Sequence, residues 1–245
     1  MQTKSLRKMT VIWSTTITLT TAFMLAGTAR AALFLGWDTR VSAPETVASS
    51  YNAPGIQSSV LSIADSSVTA TSSVYKDRWT LRDWGSSSNL AGAISNNNYL
   101  SFTIAPEAGQ TIALVDSISL HYRRLHPSLS PTSFALLSSV DGFQDTEVLG
   151  SFTDTTTDQQ TLHPAFGNLN IRDITGPVEF RIYGYDTAGV AQGIHIGPHE
   201  ANPFGEPDTQ GMTVAVFGTI PEPSSLSLLG LSLVGLFLRR RQRRA

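Results

Sequence analysis

A chain of 245 residues with 17 basic and 19 acidic side chains, a net charge of −2 and 41% hydrophobic residues has the composition of a globular protein, not of a disordered or fibrous one. It contains no cysteine, which excludes disulfides, thiol nucleophiles and cysteine-based zinc or haem sites. The charge is unevenly placed: residues 1–31 and 221–245 each carry +4, whereas residues 32–220 hold eight basic against 18 acidic side chains, a net charge of −10 that disfavours nucleic acid as a partner.

The chain opens with Lys4, Arg7 and Lys8, an apolar stretch over residues 11–25, and then Ala29-Arg30-Ala31. A basic start, a short apolar run and small residues at a cleavage site are the marks of a secretory signal peptide, here residues 1–31. Ala29 and Ala31 fit the cleavage pocket, so the mature chain is expected to start at Ala32, with the export machinery and a signal peptidase as partners. A retained N-terminal anchor is the competing reading. The alanine pair and the threonines that dilute the apolar run argue against it.

Residues 32–219 are expected to form one domain, large enough to bury a core without disulfides. Their hydrophobic period is two, not 3.6, which predicts strands separated by Gly, Pro, Asn, Asp and Ser clusters. Predicted strands are 32–37, 99–104, 117–122, 133–138, 148–153, 160–162, 178–185, 193–196 and 212–218. In the segment 178–185, Val178, Phe180 and Ile182 alternate with Glu179, Arg181 and Tyr183, as in an antiparallel strand with one solvated face. Residues 76–83 read as a short helix or turn, and 42–73 is too rich in Ser, Ala and Thr to assign. Many short strands without alternating helices predict an all-β fold, an antiparallel β-sandwich of jelly-roll type.

The chain closes with Pro221-Glu222-Pro223, an almost wholly apolar segment over residues 224–238, and the basic cluster Arg239, Arg240, Arg241, Arg243 and Arg244. Fifteen residues make roughly 22 Å of helix against roughly 30 Å of hydrocarbon. This short hydrophobic helix suits a temporary retention signal better than a permanent anchor, and the arginines behind it resist translocation. An ordinary tail anchor is the weaker alternative, and a buried core helix would have no use for five terminal arginines.

In order and position this ending resembles the PEP-CTERM sorting signal of exported bacterial proteins, over residues 220–245. The resemblance implies recognition by an exosortase-type membrane protease, cleavage near the motif and a transient stay in the inner membrane. It also implies delivery to the cell surface or extracellular matrix. The body resembles the β-sandwich modules that often precede such signals, through Leu35-Gly36-Trp37-Asp38, Tyr122-Arg123-Arg124, Pro131 to Leu136, Ser138 to Phe143 and Val214 to Pro223. Those modules have no common activity to carry over.

Four groups of residues have chemistry to weigh. Asp141, Asp145 and Glu147 could supply oxygens to Ca²⁺, although an Asp-Gly turn with solvated acids explains them more simply. His195, His199 and Glu200 could meet at a metal, but Gly197-Pro198 excludes the helix that such pairs use. Trp79, Trp84, Tyr99, Tyr183 and Tyr185 could stack on sugar rings; core packing competes for Trp37 and for at least one of Trp79 and Trp84. Arg123 and Arg124 end a strand in an acidic domain, which favours a buried pairing with an aspartate over recognition of an acidic glycan.

No nucleophile, phosphate-binding or dinucleotide motif is present, so no catalytic residue and no cofactor is expected. The leading expectation is a non-enzymatic surface or matrix protein associated with exopolysaccharide or the envelope. A carbohydrate-binding module is the alternative, and a polysaccharide-active enzyme the weaker one.

Overall fold

The computed structural model describes residues 31–39, 46–64, 69–72, 79–82, 84, 87–124, 126, 130–155, 161–162, 164–186, 193–197 and 212–220. Three sheets hold just over half of them. In spatial order the first is β13 (Ala165–Phe166), β8 (Ile112–Leu120), β17 (Val214–Thr219), β1 (Ala32–Trp37) and β3 (Tyr51–Asn52), with β14 (Ile171–Ile174) also on β8. The second is β11 (Gly150–Thr153), β10 (Ser133–Ser138), β15 (Val178–Tyr185), β7 (Tyr99–Ile104), β4 (Val60–Ile63) and β2 (Thr46–Ala48). The third is β12 (Thr161–Leu162), β9 (Tyr122–Arg124), β16 (Ile194–Ile196), β6 (Trp79–Arg82) and β5 (Thr69–Ser72). Each of these neighbouring pairs is antiparallel.

The first and third sheets share a strand path. At His121 the backbone N–H donates to the Thr213 carbonyl at 2.8 Å, while the His121 carbonyl accepts from the Gly197 N–H at 3.1 Å. The chain thus exchanges β17 for β16 as its partner without a turn, and β8 runs on into β9.

One hydrophobic core joins all three sheets. Aromatic rings bridge the two layers: Trp37 to Phe102 at 4.8 Å, Tyr122 to Phe134 at 4.7 Å and Phe152 to Phe166 at 5.2 Å. The second sheet therefore packs face to face against the first and third, as in a β-sandwich. Each fully buried Phe, Leu or Ile contributes about 1.5–3 kcal/mol, so a core of this size stabilises the body without disulfides.

Alternation explains most of the burial. Leu100, Phe102 and Ile104 of β7 face inward between half-exposed Tyr99, Ser101 and Thr103. In β1 the register shifts between Leu33 and Leu35, a bulge that lets both Phe34 and Leu35 enter the core. Gly218 makes room for this, since a Cβ there would lie 2.6 Å from the Phe34 ring.

Strand β10 is buried on both faces because helix α1 (Leu90–Ser95) covers its outer side. Phe134 and Leu136 point into the main core, while Ala135 and Leu137 form a second cluster with Ala93 and Tyr183. The helix is short, and its start is held by Asn89, whose Oδ1 accepts from the Gly92 N–H at 2.8 Å.

The expected all-β antiparallel sandwich is the fold observed. The strands at 32–37, 99–104, 133–138 and 178–185 have the expected limits, and the one expected over 117–122 begins at Ile112. The helix or turn expected over 76–83 is corrected: Trp79–Arg82 is β6, with Trp79 and Leu81 turned into the core. The unassigned stretch 42–73 supplies β2 to β5. Among the described residues no helix is long and apolar enough to cross a membrane. The expected signal segment up to Arg30 and the terminal apolar segment 224–238 lie outside the described residues.

Candidate functional site

Strand β9 places Tyr122 and Arg124 on one side, two residues apart. Asp154, just past β11, is fixed from its backbone, whose N–H donates to the Thr132 carbonyl at 2.6 Å. The Tyr122 hydroxyl donates to Asp154 Oδ2 at 3.1 Å, and Arg124 Nε lies 3.0 Å from the same oxygen. The Arg124 and Asp154 side chains are only 2% and 1% exposed. Burial, reinforced by the Asp154 charge, pushes the Tyr122 hydroxyl far above its ordinary range, so it remains a proton donor at neutral pH. This arrangement ties β9 to the end of β11 across the layers. The pairing expected for Arg123 or Arg124 with an aspartate is realised by Arg124 with Asp154.

The outer face of the second sheet holds a half-exposed group of charged and aromatic side chains. The Arg181 guanidinium lies 3.6 Å from the Phe143 ring centroid and 4.3 Å from that of Tyr99, and its Nε donates to Glu179 Oε1 at 2.8 Å. Burial opposes the Arg181 charge, and the bond to Glu179 helps to overcome that opposition, so its pKa stays above the ordinary guanidinium value. Phe143 reaches the arginine from a turn in which Gly142 and Phe143 both have positive φ, 67° and 57°. Alternation along β15 sets Glu179 and Arg181 on one face, so the pair was open to sequence reading; the Phe143 contact was not.

Tyr183 and Tyr185 do lie on the side of β15 opposite Phe180 and Ile182. Their fates differ. Tyr183 is fully buried beside Ala93 of α1 and 5.2 Å from the Tyr99 ring, whereas Tyr185 is half-buried. Burial raises the pKa of both hydroxyls, with the Asp186 charge adding to the effect at Tyr185. Trp79 and Trp84 are buried in the main core with Trp37. The packing of Trp84 depends on Gly184, where a Cβ would stand 2.8 Å from the indole. Of the five residues expected to contact a glycan, Tyr99 and Tyr185 keep a partly open surface, because α1 covers Tyr183 and β6 turns Trp79 inward.

Asp141 sits in a single 3-10 turn (Ser139–Asp141) and accepts from the Ser138 hydroxyl at 3.1 Å, while Asp145 and Glu147 are exposed. Among the described residues no group of three or more His, Cys, Asp or Glu side chains is placed to hold a metal ion. His195 meets Thr80, with Oγ1 and Nδ1 at 2.9 Å; His199 and Glu200 lie outside the described residues.

The remaining candidate is the end of the body. Strand β17 is paired on both sides, by β1 and β8, up to Ala32 opposite Gly218 and Leu114 opposite Thr219. Ile220 is half-buried and packs against the core. Pro221 is the next residue, and the sorting residues Pro221, Glu222, Pro223, Arg239, Arg240, Arg241, Arg243 and Arg244 lie outside the described residues, as does Ala29. Ala31 is described and exposed.

No curated protein matches the chain. Its residues 219–242 match the PEP-CTERM protein-sorting motif, beginning on the last residue of β17, and this implies an exported protein that is transiently anchored in a membrane and processed by exosortase-type machinery.

Proposed function

We propose that the body is a non-enzymatic structural component of the bacterial cell surface or extracellular matrix, associated with exopolysaccharide or the envelope and delivered there by its sorting motif. The observation behind this reading is the direct passage from a doubly paired central strand into the sorting motif. The cargo is thus the sandwich itself. In support, its conspicuous polar and aromatic residues are engaged internally: Tyr122, Arg124 and Asp154 with one another, Trp79 and Trp84 in the core. A net charge of −10 over residues 32–220 favours solubility in a hydrated matrix. The test is incubation of purified 32–220 with a polysaccharide panel: no release of reducing ends is expected, and reproducible hydrolysis overturns the reading.

Carbohydrate binding is the second reading, favoured by the outer face of the second sheet, where half-exposed Tyr99 lies against Arg181, which bonds Glu179, and half-exposed Tyr185 follows on the same face of β15. Retention on a glycan array, lost on Tyr185→Ala while the fold is kept, supports it. Absence of binding across the array counts against it.

A further inference from the structure

We propose that the folded body gates the removal of its own tail, through the strand seam formed by β1, β17 and β8. The proposal rests on processing at the sorting motif. Its physical basis is the lack of slack between the fold and that motif: Thr219 is hydrogen-bonded into the sheet opposite Leu114, and half-buried Ile220 packs on the core, immediately before Pro221. The matched motif begins at Thr219, so its first two residues belong to the sandwich.

A protease active site takes its substrate in extended form and needs residues free on both sides of the bond to be cut. In hydrolysis, water adds its hydroxyl to the acyl carbon and its proton to the amine that leaves with the tail. For a bond near Pro221 the acyl side includes Thr219 and Ile220, which the sandwich holds. Cleavage there has to wait until the end of β17 opens, a local event with its own free-energy cost.

The seam is pinned from the other end of the chain as well. Ala32, expected to be the first mature residue, pairs with Gly218, three positions before Pro221. The two expected processing sites thus adjoin one antiparallel strand pair, although 185 residues lie between Ala32 and Gly218 in sequence. A body that has not closed β1 onto β17 leaves the acyl side of the motif free, and a closed one covers it. The fold thereby couples the completeness of the sheet to the rate of tail release.

The test uses the full chain in a host that carries the export and sorting machinery. Gly-Ser-Gly-Ser-Gly-Ser is inserted between Ile220 and Pro221, and tail loss is followed by pulse–chase. The insertion frees the acyl side and is expected to speed tail loss about tenfold, the factor that corresponds to about 1.4 kcal/mol of removed opening cost. Hydrogen exchange over residues 214–219 of the insertion chain is expected to stay slow, which shows that the gain comes from access and not from unfolding. A native or slower rate in that chain overturns the gate. Replacement of Pro221, Glu222 and Pro223 by alanine separates the two failures: unchanged processing there overturns the sorting reading beneath the gate.

Discussion

Arg124 Nε and the Tyr122 hydroxyl converge on one oxygen, Oδ2 of Asp154, at 3.0 and 3.1 Å, inside the sandwich. Removing one member of such a buried charge pair leaves the other charge without its partner. Arg124→Ala is therefore expected to cost about 3–5 kcal/mol, read from urea unfolding of residues 32–220. The double variant Arg124→Met with Asp154→Leu should recover much of that loss. A single variant within about 0.5 kcal/mol of the native body would show that the pair contributes little.

The same network sets a pH dependence. Burial and the Asp154 charge raise the folded pKa of Tyr122, whereas the unfolded tyrosine titrates near about 10. The neutral hydroxyl is favoured in the fold, so its contribution is complete below about pH 10 and is lost as pH rises beyond that value. Raised values at Tyr183 and Tyr185 add in the same direction. The expected result is falling stability above about pH 10, with a shallower slope in Tyr122→Phe. Equal slopes in the two proteins would contradict the assignment to Tyr122.

The tryptophans expected to touch a glycan are core residues here, and this has a measurable consequence. Trp79→Ala and Trp84→Ala are expected to lower stability by about 3–5 kcal/mol, whereas Tyr185→Ala, at a half-buried position, should cost less. Gly184→Ala drives a methyl group against the Trp84 ring and should cost about 1–3 kcal/mol. Thermal melts of the four variants order them; a melting temperature for Trp79→Ala equal to that of the native body would contradict the packing described.

Sequence pattern was most legible where one face is buried and the other wet. Strand β7 alternates cleanly and β15 does so over residues 178–182, and the expected limits of both match the structure. Strands β2 to β5 escaped because 42–73 is built from small polar residues that give little contrast between faces. Residues 76–83 read as a short helix or turn because only Trp79 and Leu81 stand out in a charged stretch, which hides strand β6. Site residues suffered from a different gap. Alternation put Tyr183 and Tyr185 on one face, but only the six-residue helix α1 decides which of them is covered. That an arginine of β9 would pair with an aspartate followed from charge; that the aspartate is Asp154 depends on how β9 and β11 meet in space.

At the end of β17 sequence and structure meet. Three ordered elements made the tail readable without any fold, and the structure adds that Ile220, the residue before Pro221, packs against the core.

The most direct test of the central claim replaces Pro221, Glu222 and Pro223 by alanine in the full chain and follows its size and location in a host with exosortase-type machinery. This chain is expected to keep its full post-signal length, to stay with the membrane fraction and not to reach the cell surface or medium. Processing and delivery indistinguishable from those of the native chain would contradict it.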